Sequence, residues 1–215
     1  MNVLTDNLGL FGSAFLATIE LFLVAAVGSL FLGLVLAAMR VGPVPVLRAF
    51  GTGYVNTVRN TPLTLVLFFF AFAYPLLKLV ELSYFARAST GLILYTAAFV
   101  CEVVRSGINT VPVGQAEASR ALGFTFTQSL STIVLPQAIR SVVPPLTNVQ
   151  IALLKNTTIA SGFSVFQGGN VYQTLNERGY SLLVSLLWVT VGFLILVVPL
   201  TWLQRRLERL WSMAR

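Results

Sequence analysis

The feature that most limits what this chain can fold into is a succession of long apolar runs, separated by short stretches that hold most of its arginines. A membrane-crossing helix needs about 20 mostly apolar residues. In hydrocarbon the backbone must satisfy its own hydrogen bonds, and a helix does so within one segment. Of 215 residues, 56% are hydrophobic and only 10% charged. Soluble domains carry about 25% charged residues, so a soluble fold has no means of covering this much apolar surface. The expectation is a single all-α integral membrane domain over 1–215, a five-helix transmembrane bundle with spans at about 14–39, 54–80, 89–109, 138–160 and 181–203. No length remains for a soluble catalytic domain.

Arginine placement orients the bundle. Arg40, Arg48 and Arg59 fall at the first connection, Arg105, Arg120 and Arg140 in or beside the third, and Arg205, Arg206, Arg209 and Arg215 in the tail. The opposite side receives Lys78, Arg87 and Arg178, partly offset by Glu81 and Glu177. Basic residues gather on the cytoplasmic side of membrane proteins. The N-terminus is therefore expected outside, and the C-terminus and the 110–137 connection in the cytoplasm. An odd number of spans requires the same arrangement.

Several function classes drop out. The net charge of +7 is scattered between apolar spans rather than gathered on a soluble basic surface, so no nucleic-acid partner is expected. Histidine is absent and Cys101 is the single cysteine, which leaves no disulfide framework and no metal set. The first ten residues lack the basic run of a cleaved signal peptide. No glycine-rich loop ending in Gly-Lys-Ser/Thr is present, so ATP hydrolysis is not expected of this chain.

Two spans carry more than hydrophobicity. In the first, Ala25, Ser29, Gly33 and Ala37 recur every fourth residue, a ridge of small side chains that lets another helix approach closely. Packing inside the bundle and contact with another subunit both fit it. The fourth span holds Arg140, Pro144-Pro145, Asn148, Gln150, Lys155, Asn156 and Thr157-Thr158. Helical spacing places Asn148, Ala152, Lys155, Asn156 and Ile159 on one stripe. Polar groups at membrane depth face the bundle interior or a watery cavity, so this helix is expected to line a pathway. The fifth span is almost uniformly apolar and should face lipid. Beyond it, 204–215 reads as a short basic amphipathic tail with Trp202 and Trp211 at headgroup level.

The connection between the third and fourth spans is water-facing. Pro112 suits a first helical turn and Gly123 a C-terminal cap, which brackets a helix near 113–122. Thr125 or Thr127 suits the cap of a second short helix that stops at Pro136. Glu117 is spaced to pair with Arg120.

Glu117-Ala118-Ser119, then Gly123, Ile133 and Leu135-Pro136, resemble the cytoplasmic EAA loop of ATP-binding-cassette (ABC) importer permeases. The run 95–108 leads into it, Arg59-Asn60-Thr61-Pro62 resembles an arginine-x-threonine-proline motif, and Leu154-Lys155-Asn156-Thr157-Thr158 a lysine-aspartate-threonine-serine run. Together these are similar to the polar amino-acid permeases of type I ABC importers, the histidine, glutamine, glutamate and arginine branch. The resemblance implies a permease subunit in a bacterial cytoplasmic membrane, paired with a second permease subunit, the same or homologous. It also implies two cytoplasmic ABC ATPases that use the ATP and magnesium, and an extracytoplasmic amino-acid-binding protein. No cofactor is expected in this chain. Glu117, Ala118, Ser119, Gly123, Ile133, Leu135 and Pro136 are then the ATPase-coupling residues. Thr61, Pro62, Glu102, Asn148, Lys155, Asn156 and Thr157 are the pathway candidates.

Arg59 and Arg105 are candidates for an inner gate or a cytoplasmic anchor. Glu102 and Arg105, three residues apart, either satisfy each other or meet substrate. Ser119 stands where the motif usually has alanine, and Asn156 where the family often has aspartate. Loss of that carboxylate removes the natural partner of a cationic substrate, while Lys155 favours an anionic group. Glutamate or aspartate is therefore the expected cargo, with glutamine second. A channel or secondary carrier working without ATP would show internal repeats or a filter-like loop, and neither is found. A membrane enzyme would cluster ionisable groups at depth, where only Glu20 and Glu102 are acidic.

Overall fold

The computed structural model describes residues 3–212, and among them every regular element is helical. A turn of 3-10 helix at Thr5–Asn7 leads into α1 (Leu8–Val41). Gly42 ends it in extended conformation, donating to the Ala38 carbonyl. Arg48 then caps the Gly42 carbonyl at 3.1 Å. Pro45 opens α2 (Pro45–Arg59), where its missing N–H costs nothing.

The expected second span, 54–80, is not one helix. α2 stops at Arg59, and the chain turns by 101° into the limb Leu63–Leu76. Pro62 cannot continue the helix, so it sits extended at the corner, while Thr61 turns its hydroxyl back to the Thr57 carbonyl at 2.9 Å. The limb consists of α3 (Leu63–Phe68), a π turn (Phe69–Ala73) and α4 (Tyr74–Leu76). An apolar average taken across residue 62 conceals this corner.

Ser83 caps α5 (Tyr84–Asn109), accepting from the Ala86 amide at 3.1 Å. α5 is the central post, with α1 packed along one side and α8 along another. α6 (Val113–Ala121) and α7 (Phe126–Ser129) form the polar connection. A second π turn, Leu130–Val134, joins α7 to α8 (Leu135–Ala160). The expected stop at Pro136 is therefore absent, and the helical path runs unbroken over 126–160. Two 3-10 turns (Ser161–Phe163 and Gly168–Asn170) precede α9 (Val171–Glu177). α10 (Leu182–Ser212) absorbs the expected separate tail. The side chain of Trp211 lies outside the described residues; Trp202 is exposed beneath Arg206.

Both π turns have one cause. Each stands directly before an X-Pro step, Tyr74-Pro75 and Leu135-Pro136, where proline has no N–H to give the carbonyl four residues back. The wider turn absorbs the mismatch, with Tyr74 N–H donating to the Phe69 carbonyl and Leu135 N–H to Leu130. Arg87 takes over the carbonyl that Pro75 leaves free, donating to Ala71 at 3.0 Å.

Among the described residues three helices are long and apolar enough to cross a membrane: Thr5–Val41, Tyr84–Asn109 and Leu182–Leu210. The bent pair is a fourth candidate, and α8 does not pass on apolarity alone. The small-residue ridge is settled in favour of packing within the bundle. Ala25, Ser29, Gly33 and Ala37 are all buried, and a side chain at Gly33 would meet Val100 of α5 at 2.5 Å. One core joins α1, α3, α5 and α8 around Leu21, Leu67, Leu92 and Leu153; another joins α1, α2 and α5 around Leu36, Val55 and Cys101. Among the described side chains of α10 only Ser185 and Val189 are buried, the exposure that a lipid-facing helix would have.

Candidate functional site

The polar connection is a folded elbow. α6 ends in a paired backbone cap, with the Gly123 amide donating to Arg120 at 3.0 Å and Phe124 to Ser119 at 3.1 Å. The cap needs Gly123 at φ +88°, where a Cβ is disfavoured, although space around it is open. Thr125, rather than Thr127, caps α7, in a reciprocal box with Gln128. Glu117, Ala118, Leu135 and Pro136 are exposed and Ile133 is half-buried. The exception is Ser119, which is buried and turned inward, its Oγ 2.7 Å from that of buried Ser129. Gln137 bonds Gln115 at 3.2 Å and the Ile133 carbonyl at 2.8 Å, which ties α6 to the start of α8. Between them lies a largely apolar concavity of about 510 Å³, lined by Pro112, Gln115, Ala118, Leu122 and Ile133. Among the described residues the expected Glu117–Arg120 pair is not formed.

The fourth expected span presents its stripe outward. Asn148, Ala152 and Lys155 are exposed, Asn156 and Ile159 half-buried. Thr157 is not on that face. It is fully buried, with its hydroxyl on the Leu154 carbonyl at 2.7 Å. Thr61 and Pro62 occupy the corner between α2 and α3, Thr61 half-buried and Pro62 exposed.

Glu102 is the hub of a charge cluster. Its Oε1 receives Arg105 at 2.6 Å, and its Oε2 receives Arg40 at 2.6 Å with Arg59 at 3.6 Å. The cluster draws together the ends of α1, α2 and α5. The i, i+3 spacing revealed the Arg105 contact. Arg40 carried no such signal, because it lies 62 positions from Glu102.

A second arrangement escaped sequence reasoning altogether. The stretch 161–170, two 3-10 turns and the link between them, folds back against α1, and buried Gln167 bridges two helices there. Its Oε1 accepts from Thr18 at 3.3 Å, and its Nε2 donates to the Thr157 carbonyl at 3.2 Å. Thr18 accepts from the Gly168 amide at 2.8 Å, and Asn170 donates to the Ser161 carbonyl at 3.0 Å. Irregular backbone beside a membrane helix is tolerated when protein satisfies it in this way.

A helical bundle whose cytoplasm-assigned elbow connects directly to a helix with an uncovered polar face is built like a transport permease, not like a soluble domain or a receptor anchor. The chain belongs to the family of binding-protein-dependent transport system inner membrane components, whose family model matches residues 29–212. It is 46% identical over 199 residues to the glutamate transport system permease protein GluC of Corynebacterium efficiens, covering 87% of each chain. It is 36% identical over 216 residues to the probable glutamine ABC transporter permease protein GlnM of Bacillus subtilis, covering 97% of this chain and 98% of that one. Among solved structures, an amino acid ABC transporter superposes with a TM-score of 0.89 at 24% identity, over 96% of both chains. The MetNI methionine ABC transporter, in an inward-facing conformation, gives 0.76 at 22% identity, over 96% of this chain and 98% of that one. These two likenesses concern the fold. The family expected from the residue motifs is thus the family found.

Proposed function

We propose that this chain is the membrane-spanning permease subunit of an ATP-driven importer whose cargo is an acidic amino acid, glutamate or aspartate, with glutamine next. The observation that carries the reading is Lys155, exposed on the polar stripe of α8 with no acidic partner in its own subunit among the described residues. An ammonium at membrane depth is costly unless a cavity or an anion meets it. A carboxylate-bearing substrate fits that need, and the glutamate permease relative supports it. The crossings are α1, α5, α8 and α10, with the second made by the bent stretch 45–76 rather than by one straight helix. A second permease subunit faces the α8 stripe, two ATPases dock on the elbows, and a binding protein delivers cargo from outside.

The unbroken helical path over 126–160 gives this reading a mechanism. A load applied at the Thr125 cap passes along the continuous helical path to Lys155, about 45 Å away at 1.5 Å per residue. The Ser119–Ser129 contact and the Gln137 bonds keep the elbow rigid, so ATPase closure moves the polar stripe instead of deforming the loop. Rigid elements rocking about a central site are how alternating access works. Both oxygens of Glu102 are engaged by arginines, which favours an anchoring role for the cluster over direct contact with cargo.

The test is uptake by the complete transporter reconstituted in proteoliposomes. ATP-dependent glutamate uptake is expected to fall at least about tenfold in Lys155→Met, the loss of one charge-assisted contact of about 1.5–3 kcal/mol. ATPase docking should be unchanged. Uptake that followed arginine and ignored glutamate would overturn the substrate assignment.

A further inference from the structure

We propose that the arginine cluster around Glu102 is a binding site for the phosphate of an anionic phospholipid in the cytoplasmic leaflet. Three guanidinium groups share one carboxylate, which leaves two positive charges uncompensated within the cluster. The donors are also in surplus. The Arg40 side chain is 9% exposed, yet its Nε is buried with no acceptor, and the Arg105 Nε is in the same state. Arg59 lies 3.6 Å from Glu102, too far for a hydrogen bond, and its guanidinium rests over the Phe99 ring at 5.7 Å. Arg59 and Arg105 keep 41% and 34% of their side chains exposed, so the site is open on their side. Forked N–H donors without acceptors match the oxygens of a phosphate.

The position selects a lipid as the source of that phosphate. Arg40 is one residue from the end of α1 and Arg105 four from the end of α5, at the ends that arginine placement assigns to the cytoplasm. α2 lies against Arg40, since a side chain at Gly51 would meet the Arg40 Cγ at 2.9 Å. Val46, Leu47 and Phe50, on the same helix as Gly51, are exposed and apolar, a surface for acyl chains. α2 is also turned 101° from the limb that follows, as suits a helix lying along the leaflet. Basic pockets between helices at the cytoplasmic margin are sites for acidic headgroups.

Native mass spectrometry of the intact transporter in mild detergent tests this, with dioleoyl phosphatidylglycerol, dioleoyl phosphatidylcholine and inorganic phosphate as probes. Phosphatidylglycerol is expected to be retained in preference to phosphatidylcholine, and inorganic phosphate at 10-millimolar scale (~10 mM) should not displace it. Arg59→Gln with Arg105→Gln should weaken retention about twenty- to thirtyfold, as two juxtamembrane charges at about fivefold each imply. Lys78→Gln, exposed on the side that arginine placement assigns outside, should leave retention unchanged. If the glutamine pair does not assemble, Arg59→Lys with Arg105→Lys keeps the charge, loses the fork and should weaken retention by a smaller factor. Equal retention of phosphatidylcholine, displacement by inorganic phosphate or by glutamate, or full retention in an assembled double variant would overturn the proposal.

Discussion

Ser119 shows how a single departure from a motif is absorbed. A hydroxyl in place of alanine puts a polar group on the buried side of α6, where an unmet donor or acceptor costs about 1–3 kcal/mol. Here the cost is offset locally, because Ser129 of α7 stands 2.7 Å away and the Ala116 carbonyl 2.8 Å away. Ser119→Ala therefore does not simply restore a consensus residue; it strands the Ser129 hydroxyl. The single substitution is expected to lower stability by about 1 kcal/mol. Adding Ser129→Ala should cost little more, since neither hydroxyl then remains. Thermal unfolding of the purified transporter, followed at the elbow by hydrogen exchange, measures the cycle. Fully additive losses would show that the two hydroxyls do not act as a pair.

At the scale of elements, what the sequence made legible was what local chemistry writes. Apolar length located α1, α5 and α10, Gly123 marked one cap of the elbow, and the other was narrowed to Thr125 or Thr127. What it concealed came from prolines inside apolar runs. Pro62 makes a corner, extended after α2 has already ended at Arg59, whereas Pro136 is carried inside a continuous helical path. At Pro136 the π turn absorbs the break; at Pro75 a π turn does the same, and a distant arginine finishes the task. The Ala71 carbonyl depends on Arg87, sixteen positions away, a pairing that no periodicity announces. Arg87→Met is accordingly expected to destabilise the α3–α4 limb by about 1–3 kcal/mol. In a Pro75→Ala background the restored N–H reaches Ala71 itself, so the same substitution should cost markedly less. Denaturant titrations of the four proteins test this, and an undiminished penalty in the Pro75→Ala background would place the role of Arg87 elsewhere, for instance in its contact with the Tyr84 ring.

At the scale of the whole molecule, one subunit leaves the polar stripe of α8 uncovered. Helical spacing placed the polar stripe of α8; Thr157, a separate pathway candidate, is turned inward by the fold, and the 161–170 stretch that braces the same helix against α1 was missed. Asn148 and Lys155 remain outward, on a helix whose other face is packed on α5. A lysine inside a membrane span costs up to about 2.5–3.5 kcal/mol on insertion scales, and an uncovered asparagine adds to it. The lone subunit should therefore be poorly stable in a bilayer, gaining stability when a second permease subunit encloses the stripe around water. Expressed alone, the chain is expected to be degraded quickly or to self-associate, and co-expression with its partners should restore a long half-life. Asn148→Leu with Lys155→Leu should reverse the pattern, making the solitary chain longer-lived while the complete transporter loses uptake. Pulse-chase of both forms, with and without partners, decides the matter. A wild-type chain as durable alone as in company would mean that the stripe is not an uncovered pathway wall.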